Sequence, residues 1–247
     1  MTTSFWRRGL QCLLGIVAAA AILAPSPAQA QITRVSNADW GQAFGFKIGS
    51  FQLKGLDSRG ENDVLFNNYD SLFFDIEEFN GVTFGGEWLI SLGRYLEAGA
   101  DVTYYQGSVP SVYKDLVSPS GFEIAQELKL RTIPVSGTVR FLPVGRGTVQ
   151  PFIGGGVSVI PWRYTETGEF VDFNGDIFFD TFSADGTEVA PVVLGGVRFA
   201  VGDAWLVGVE YRYQDAKGDT GGIDAGFTGD KINLGGHHWN IGIHFRF

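Results

Sequence analysis

The residues from 237 to 247 read His-His-Trp-Asn-Ile-Gly-Ile-His-Phe-Arg-Phe. Trp239, Ile241, Ile243, Phe245 and Phe247 alternate with His238, Asn240, Gly242, His244 and Arg246. A strand sends successive side chains to opposite faces, so this segment has one apolar and one polar face. The pattern recurs along the chain. Phe44, Phe46 and Ile48 open it, followed by Val82, Phe84, Trp88, Ile90 and Leu92, then Leu96, Ala98, Ala100, Val102 and Tyr104. Ile133, Val135, Val139 and Phe141 mark a further row, and Ile153, Val157 and Val159 another. Val189, Val193, Val197, Phe199 and Val201 precede Trp205, Val207, Val209, Tyr211 and Tyr213. With the last segment, about eight strands are expected.

The links between them alternate in length. Gly93-Arg94-Tyr95, residues 142–148 and Gly202-Asp203-Ala204 are short, whereas 54–80, 107–127, 164–187 and 216–234 are long. Short turns at one end and long loops at the other fit a barrel whose two rims meet different compartments. The expected fold is therefore all-β, a closed antiparallel transmembrane β-barrel of about eight strands. A soluble lipocalin-like barrel would have apolar inward rows and a polar exterior. Here the polar rows are rich in glycine and charge, which suits a hydrated lumen; the 35 glycines and 14% aromatic content suit small lumen residues and aromatic girdles.

The first thirty residues predict a secretory leader. Arg7 and Arg8 precede an apolar stretch from Leu10 to Leu23, Pro25-Ser26-Pro27 breaks it, and Ala28-Gln29-Ala30 offers a cleavage site. The apolar run is short of the ~20 residues needed to span a bilayer. The reading divides the chain into a signal peptide (1–30), a periplasmic N-terminal segment (31–42) and a transmembrane barrel (43–247). Cys12 is the only cysteine, so the mature chain would have no disulfide. Net charge is −9; the leader holds two arginines and no acid, so cleavage gives −11. That balance argues against binding nucleic acid or anionic lipid through a basic patch.

Arg94-Tyr95-Leu96-Glu97-Ala98-Gly99-Ala100, Pro151-Phe152-Ile153-Gly154-Gly155-Gly156-Val157, Gly195-Gly196-Val197-Arg198-Phe199 and Val209-Glu210-Tyr211-Arg212-Tyr213, with the terminal strand, carry a resemblance. They are similar to the small bacterial outer-membrane β-barrels, the porin-like and OmpA-type transmembrane group. The resemblance implies integral residence in the outer membrane of a Gram-negative-type envelope. It implies contact with outer-membrane lipid and lipopolysaccharide, and delivery by periplasmic chaperones to the barrel-assembly machinery. It also implies that Phe245 and Phe247 form part of the assembly signal. It implies a small porin-like channel or structural barrel; the alternative is a surface adhesin or receptor.

The expected lumen row holds Lys47, Glu87, Glu97, Asp101, Arg140, Arg198, Glu210, Arg212, His244 and Arg246. A narrow barrel has little room beyond its own side chains, and buried charges need partners. If Leu92 pairs with Leu96, Glu87 falls opposite Asp101. Two carboxylates so close require a cation, with Lys47 and Arg212 as candidates and Glu210 competing for them. The row reads either as a salt-bridge network or as a gate for small polar solutes. No cofactor, metal centre or enzymatic activity is expected. His237 sits where a lipid-modifying histidine would, but Trp239, not serine, shares its face. Asp172-Phe173-Asn174-Gly175-Asp176 resembles a calcium loop, yet Ile177 and Ser183 stand where its glycine and glutamate belong, and a type I′ hairpin at Asn174-Gly175 is the simpler reading. Loop 54–80 holds Asp57, Glu61, Asp63, Asp70, Asp75, Glu77 and Glu78, an acidic rim able to attract divalent cations. An adhesin would work through the loop aromatics Phe66, Tyr69, Phe73, Phe74, Phe178, Phe179 and Phe182.

Overall fold

The computed structural model of the chain describes residues 41–172 and 174–247. The leader and residues 31–40 lie outside them. Eight walls follow in order: β1 Gln42–Leu53, β2 Gly81–Ser91, β3 Leu96–Val117, β4 in two segments, Glu123–Thr132 and Val135–Phe141, β5 Val149–Val171, β6 Ile177–Val201, β7 Trp205–Gln214 and β8 Gly236–Arg246. Each pairs antiparallel with its sequence neighbours, and β8 returns to β1 from Ala43↔Arg246 to Leu53↔Gly236. The ring is closed. At the end of the seam, Gln42 N donates to Phe247 O at 3.2 Å and Phe247 N to Gln42 O at 2.9 Å. Closure matters because an unpaired backbone edge has no solvent to satisfy it in hydrocarbon. No helix among the described residues is long and apolar enough to cross a membrane, and the crossing is made by strands.

The interruption in β4 falls at Pro134, which has no N–H to give to the ladder. Ile133 N reaches Pro161 O (2.9 Å) and Thr103 N reaches Pro134 O (3.0 Å), so the wall holds together across the gap. The outward rows are those anticipated above. Phe46, Ile48, Val82, Phe84, Val139, Ile153, Val157, Val193, Val207 and Ile241 are all exposed and form a belt. Near its upper edge Val102, Val135, Val159 and Val189 lie side by side across four walls. Such a belt is an aggregation surface in water and the natural exterior in lipid.

At one end the walls join through residues 92–95, 142–148 and 202–204. Gly93 (φ +96°) and Gly202 (φ +63°) adopt a left-handed conformation, which favours glycine there. The other end departs from expectation. The stretches 107–127 and 164–187 are not loops: β3 and β4 run on to a link at 118–122, and β5 and β6 to one at 172–176. The ladder continues because the alternation does. Inward Tyr105, Val109, Leu128, Leu130, Ile160, Trp162 and Tyr164 are buried on material supplied by the other two connections. The hairpin tip is not a two-residue type I′ turn. Asp172 N bonds Asp176 O (3.0 Å) and Gly175 N bonds Asp172 O (3.0 Å), a three-residue loop with Gly175 at φ +87°. The Asp172 carboxylate accepts from Asp176 N (2.9 Å) and Asn174 N (2.8 Å), which hold its pKa below the usual range.

The connection from β1 to β2 folds inward and contains α1, Val64–Ser71. Its Val64, Leu65, Leu72, Phe74, Ile76 and Phe79, with Phe227, Ile232 and Leu234 from the link between β7 and β8, fill the upper end as an apolar cap. The two connections are clipped at Asp63. Its carboxylate takes two bonds from Arg59 Nη1 (2.8 and 2.9 Å), caps α1 through Leu65 N (3.0 Å) and Phe66 N (3.2 Å), and accepts Asn233 N at 2.7 Å. Phe74, counted above among possible loop contacts, is thus buried, and Phe182 packs on the same core.

Candidate functional site: a charged layer inside the barrel

Strand parity turns Lys47 of β1, Glu87 of β2, Glu97 and Asp101 of β3, Arg140 of β4, Arg198 of β6, Glu210 and Arg212 of β7 and His244 of β8 inward, and all are buried. Glu87 stands directly opposite Asp101. Lys47 Nζ lies between them, 3.0 Å from Glu87 and 3.7 Å from Asp101, and 3.4 Å from Glu210. Arg212 grips Asp101 with both terminal nitrogens (2.8 and 2.7 Å) and donates to Ser136 Oγ (3.1 Å). Arg140 bonds Glu87 and lies 3.0 Å from Glu210. His244 Nε2 meets Glu87 Oε2 at 2.8 Å. Arg198 meets Glu97 at 2.8 Å. Four carboxylates thus face four permanent cations, each carboxylate touching at least two. This is the arrangement that buried charge requires.

Two features make room for the layer. Arg140 is paired across the ladder with Gly154, Arg198 with Gly208, and Lys47 with Gly242. A Cβ on Gly208 would stand 2.6 Å from Arg198 Cγ, and one on Gly154 3.1 Å from Arg140 Cγ. The Phe152 ring supports the guanidinium groups of Arg140 (5.1 Å) and Arg198 (4.8 Å). The cavity lined by Lys47, Glu87, Arg140, Arg198, Glu210 and His244 measures ≈ 10 Å³. That is at most the room of a single water.

Arg246 does not join the layer. It lies at the rim, half-exposed, donating to Gly202 O at 2.9 Å, because the strand end carries it past the turn after β6. Arg146 takes a place that strand parity could not assign. It rises from the 142–148 turn to Glu97 (3.2 Å) and to the carbonyls of Gly93 (3.0 Å) and Leu96 (2.9 Å). Its signal was only its position beside a short turn. Phe245 faces outward and packs edge-on against Trp205 (5.2 Å). His237 Nδ1 meets the Tyr211 hydroxyl at 2.7 Å within an outward aromatic group that includes Tyr213 and Trp239.

A closed antiparallel ring, apolar outside and charged within, defines an integral outer-membrane β-barrel. The sequence matches the outer membrane protein beta-barrel domain family over residues 16–247, and the chain belongs to that family. Its place is the cell outer membrane. Among solved structures it is similar to OprG from Pseudomonas aeruginosa (13% identity, TM-score 0.48, covering 84% of this chain and 95% of that one). It is also similar to Neisserial surface protein A (16% identity, TM-score 0.45, 84% and 97%) and to Ail of Yersinia pestis (10% identity, TM-score 0.38, 84% and 97%). A comparison with curated proteins finds no match.

Proposed function

We propose that this protein is a closed, non-conducting structural barrel rather than an open channel. The observation that supports this reading is the charged layer, whose cavity among Lys47, Glu87, Arg140 and Glu210 measures ≈ 10 Å³. An ion passing through would have to part several buried pairs, each costing about 3–5 kcal/mol to break. Beyond the layer, Phe79, Tyr105 and Phe227 belong to an apolar cap across the same path. We also read the barrel as non-catalytic: His237 at the outer rim bonds a tyrosine, not a serine. Recording from the refolded barrel in planar bilayers tests the reading. No steady conductance is expected from wild type. Stepwise openings at moderate voltage would overturn it and favour a gated pore.

A second reading rests on the extended walls. β5 and β6 stay paired out to Val171↔Ile177 and carry exposed Phe178 and Phe179, while Phe122 and Phe73 are exposed nearby. A rigid platform with aromatic tips suits a surface adhesin. Removing residues 169–179 would then abolish attachment to a partner cell and leave the barrel folded.

A further inference from the structure

We infer that an aromatic cleft on the outer rim, between the β1–β2 connection and the edge of β3, binds an aliphatic diammonium ion. The inference needs neither a conducting lumen nor attachment through the hairpin tips. The cleft arises because β3 outlasts β2. Past Thr83↔Tyr105 no strand pairs with the edge of β3 until Leu72↔Tyr113 and Phe73↔Val112, and the cleft lies where that pairing resumes. Its cavity of ≈ 610 Å³ is lined by Tyr69, Phe73, Phe74 and Val112 and by the side chains of Asp75 and Glu78. That volume is ordinary for a small-molecule site. Val112 stands ten residues beyond Val102 of the upper valine row, and Phe73, Asp75 and Glu78 are exposed, so the cleft opens to water.

A single turn of 3₁₀ helix, Ile76–Phe79, sets the two acids. Glu78 N bonds Asp75 O at 3.0 Å, and residues three apart on such a turn share one edge. Its rise separates them by about 6 Å, close to the span of a four-carbon diamine.

The polar groups lining the cleft call for a donor. Asp75 and Glu78 are its only charged walls, and neither forms an ion pair among the described residues. Pro110, also in the wall, has no N–H, and the hydroxyl of neighbouring Ser111 already donates to Gln126 O at 3.3 Å. From residue 69 to 78 the chain carries Asp70, Asp75, Glu77 and Glu78 and no base. An ammonium group donates three hydrogen bonds and accepts none. The rings attract its charge and cover its methylene stem. The chain supplies its own example of this chemistry beside the cleft. Lys114 Nζ lies 4.3 Å from the centre of the Tyr69 ring and donates to Tyr69 O. Lys114 does not line the cavity, which leaves both carboxylates to a ligand. A divalent metal ion fits less well. It would gain nothing from the rings, and among the described residues no three acids or histidines converge on one point.

The test is equilibrium dialysis of radiolabelled 1,4-diaminobutane against the whole mature barrel in zwitterionic micelles. Unlabelled 1-aminobutane and magnesium chloride, at constant ionic strength, are the competitors. Saturable one-to-one binding of the diamine is expected. The monoamine should compete at least about tenfold less well, the effect of losing one charged hydrogen bond. Glu78→Gln is expected to weaken the diamine about tenfold for the same reason. Phe73→Ala should weaken it roughly threefold through the lost ring. Both side chains are exposed, so both variants should keep the circular dichroism of wild type. Glu77→Gln removes a neighbouring charge that does not line the cleft, and should bind as wild type. Absence of saturable binding would overturn the proposal. So would displacement by magnesium as effective as by the diamine, an equal loss in Glu77→Gln and Glu78→Gln, or unchanged binding by Phe73→Ala, each of which marks a diffuse acidic rim instead.

Discussion

Asp101 and Arg212 show what the charged layer asks of single residues. With both guanidinium nitrogens withdrawn, Asp101 would keep only Lys47, at 3.7 Å. Arg212→Ala is expected to cost about 3–5 kcal/mol in urea unfolding from detergent micelles, the range for one broken buried pair. Asp101→Asn in that background should recover part of the loss; no recovery would mean that Arg212 acts through packing alone. That these groups face inward was legible from parity, since period-two alternation assigns a face to every residue once one is known. Height along the barrel was not legible. Arg246 shares the parity of His244 yet stops at the rim, and Arg146 enters from a turn, where parity has no meaning. The glycines were legible as small lumen residues, but pairing Gly208 with Arg198 needs the register.

At the scale of elements, the outer half is the least legible in the sequence. Acids in 54–80 suggested a solvated loop, whereas Val64, Leu65, Leu72, Phe74, Ile76 and Phe79 between them form the cap. The helix they include has eight residues, too few to display a periodicity that separates it from a loop. The outer runs of β5 and β6 resemble loop in the sequence because threonine, glutamate and aspartate occupy their outward positions. A buried group ties these elements together. Glu166 on β5 accepts from Asn68 Nδ2 of α1 (2.6 Å) and from the Tyr164 hydroxyl (2.9 Å). Burial pushes its pKa up, and those two bonds only partly oppose the shift. A carboxyl with a raised folded-state pKa favours the folded form most below its unfolded pKa, and this contribution is lost as pH rises through the folded value. Amide exchange in α1 is therefore expected to quicken, beyond the intrinsic chemical rate, as pH rises from below the ordinary glutamate range. Glu166→Gln should remove that dependence; a variant with the same pH profile as wild type would show that the cap does not sense this proton.

At the scale of the whole molecule, class and location were legible because one pattern repeats in every wall and a lipid exterior is the simplest place for it. What the repeats could not convey is that the interior has two storeys, ions below and hydrocarbon above, since both occupy the same inward parity. The reciprocal hydrogen bonds between Gln42 and Phe247 carry a consequence of their own. Around the ring, the β1–β8 seam is chemically like any other junction, and the chain's order is only one way of cutting a circle. A short linker joining residue 247 to residue 42, with new ends opened between Gly202 and Ala204, keeps every ladder and exchanges which two walls meet last. Such a permuted barrel is expected to reach the same heat-modifiable form in detergent, read as a mobility shift on unboiled gels. Its ring would close between β6 and β7, whose partners then lie roughly 200 residues apart instead of beside a three-residue turn. The entropy of closing that loop would move with them, by about 4 kcal/mol between the two seams, so the permutant should fold by a different last step to an unchanged shape.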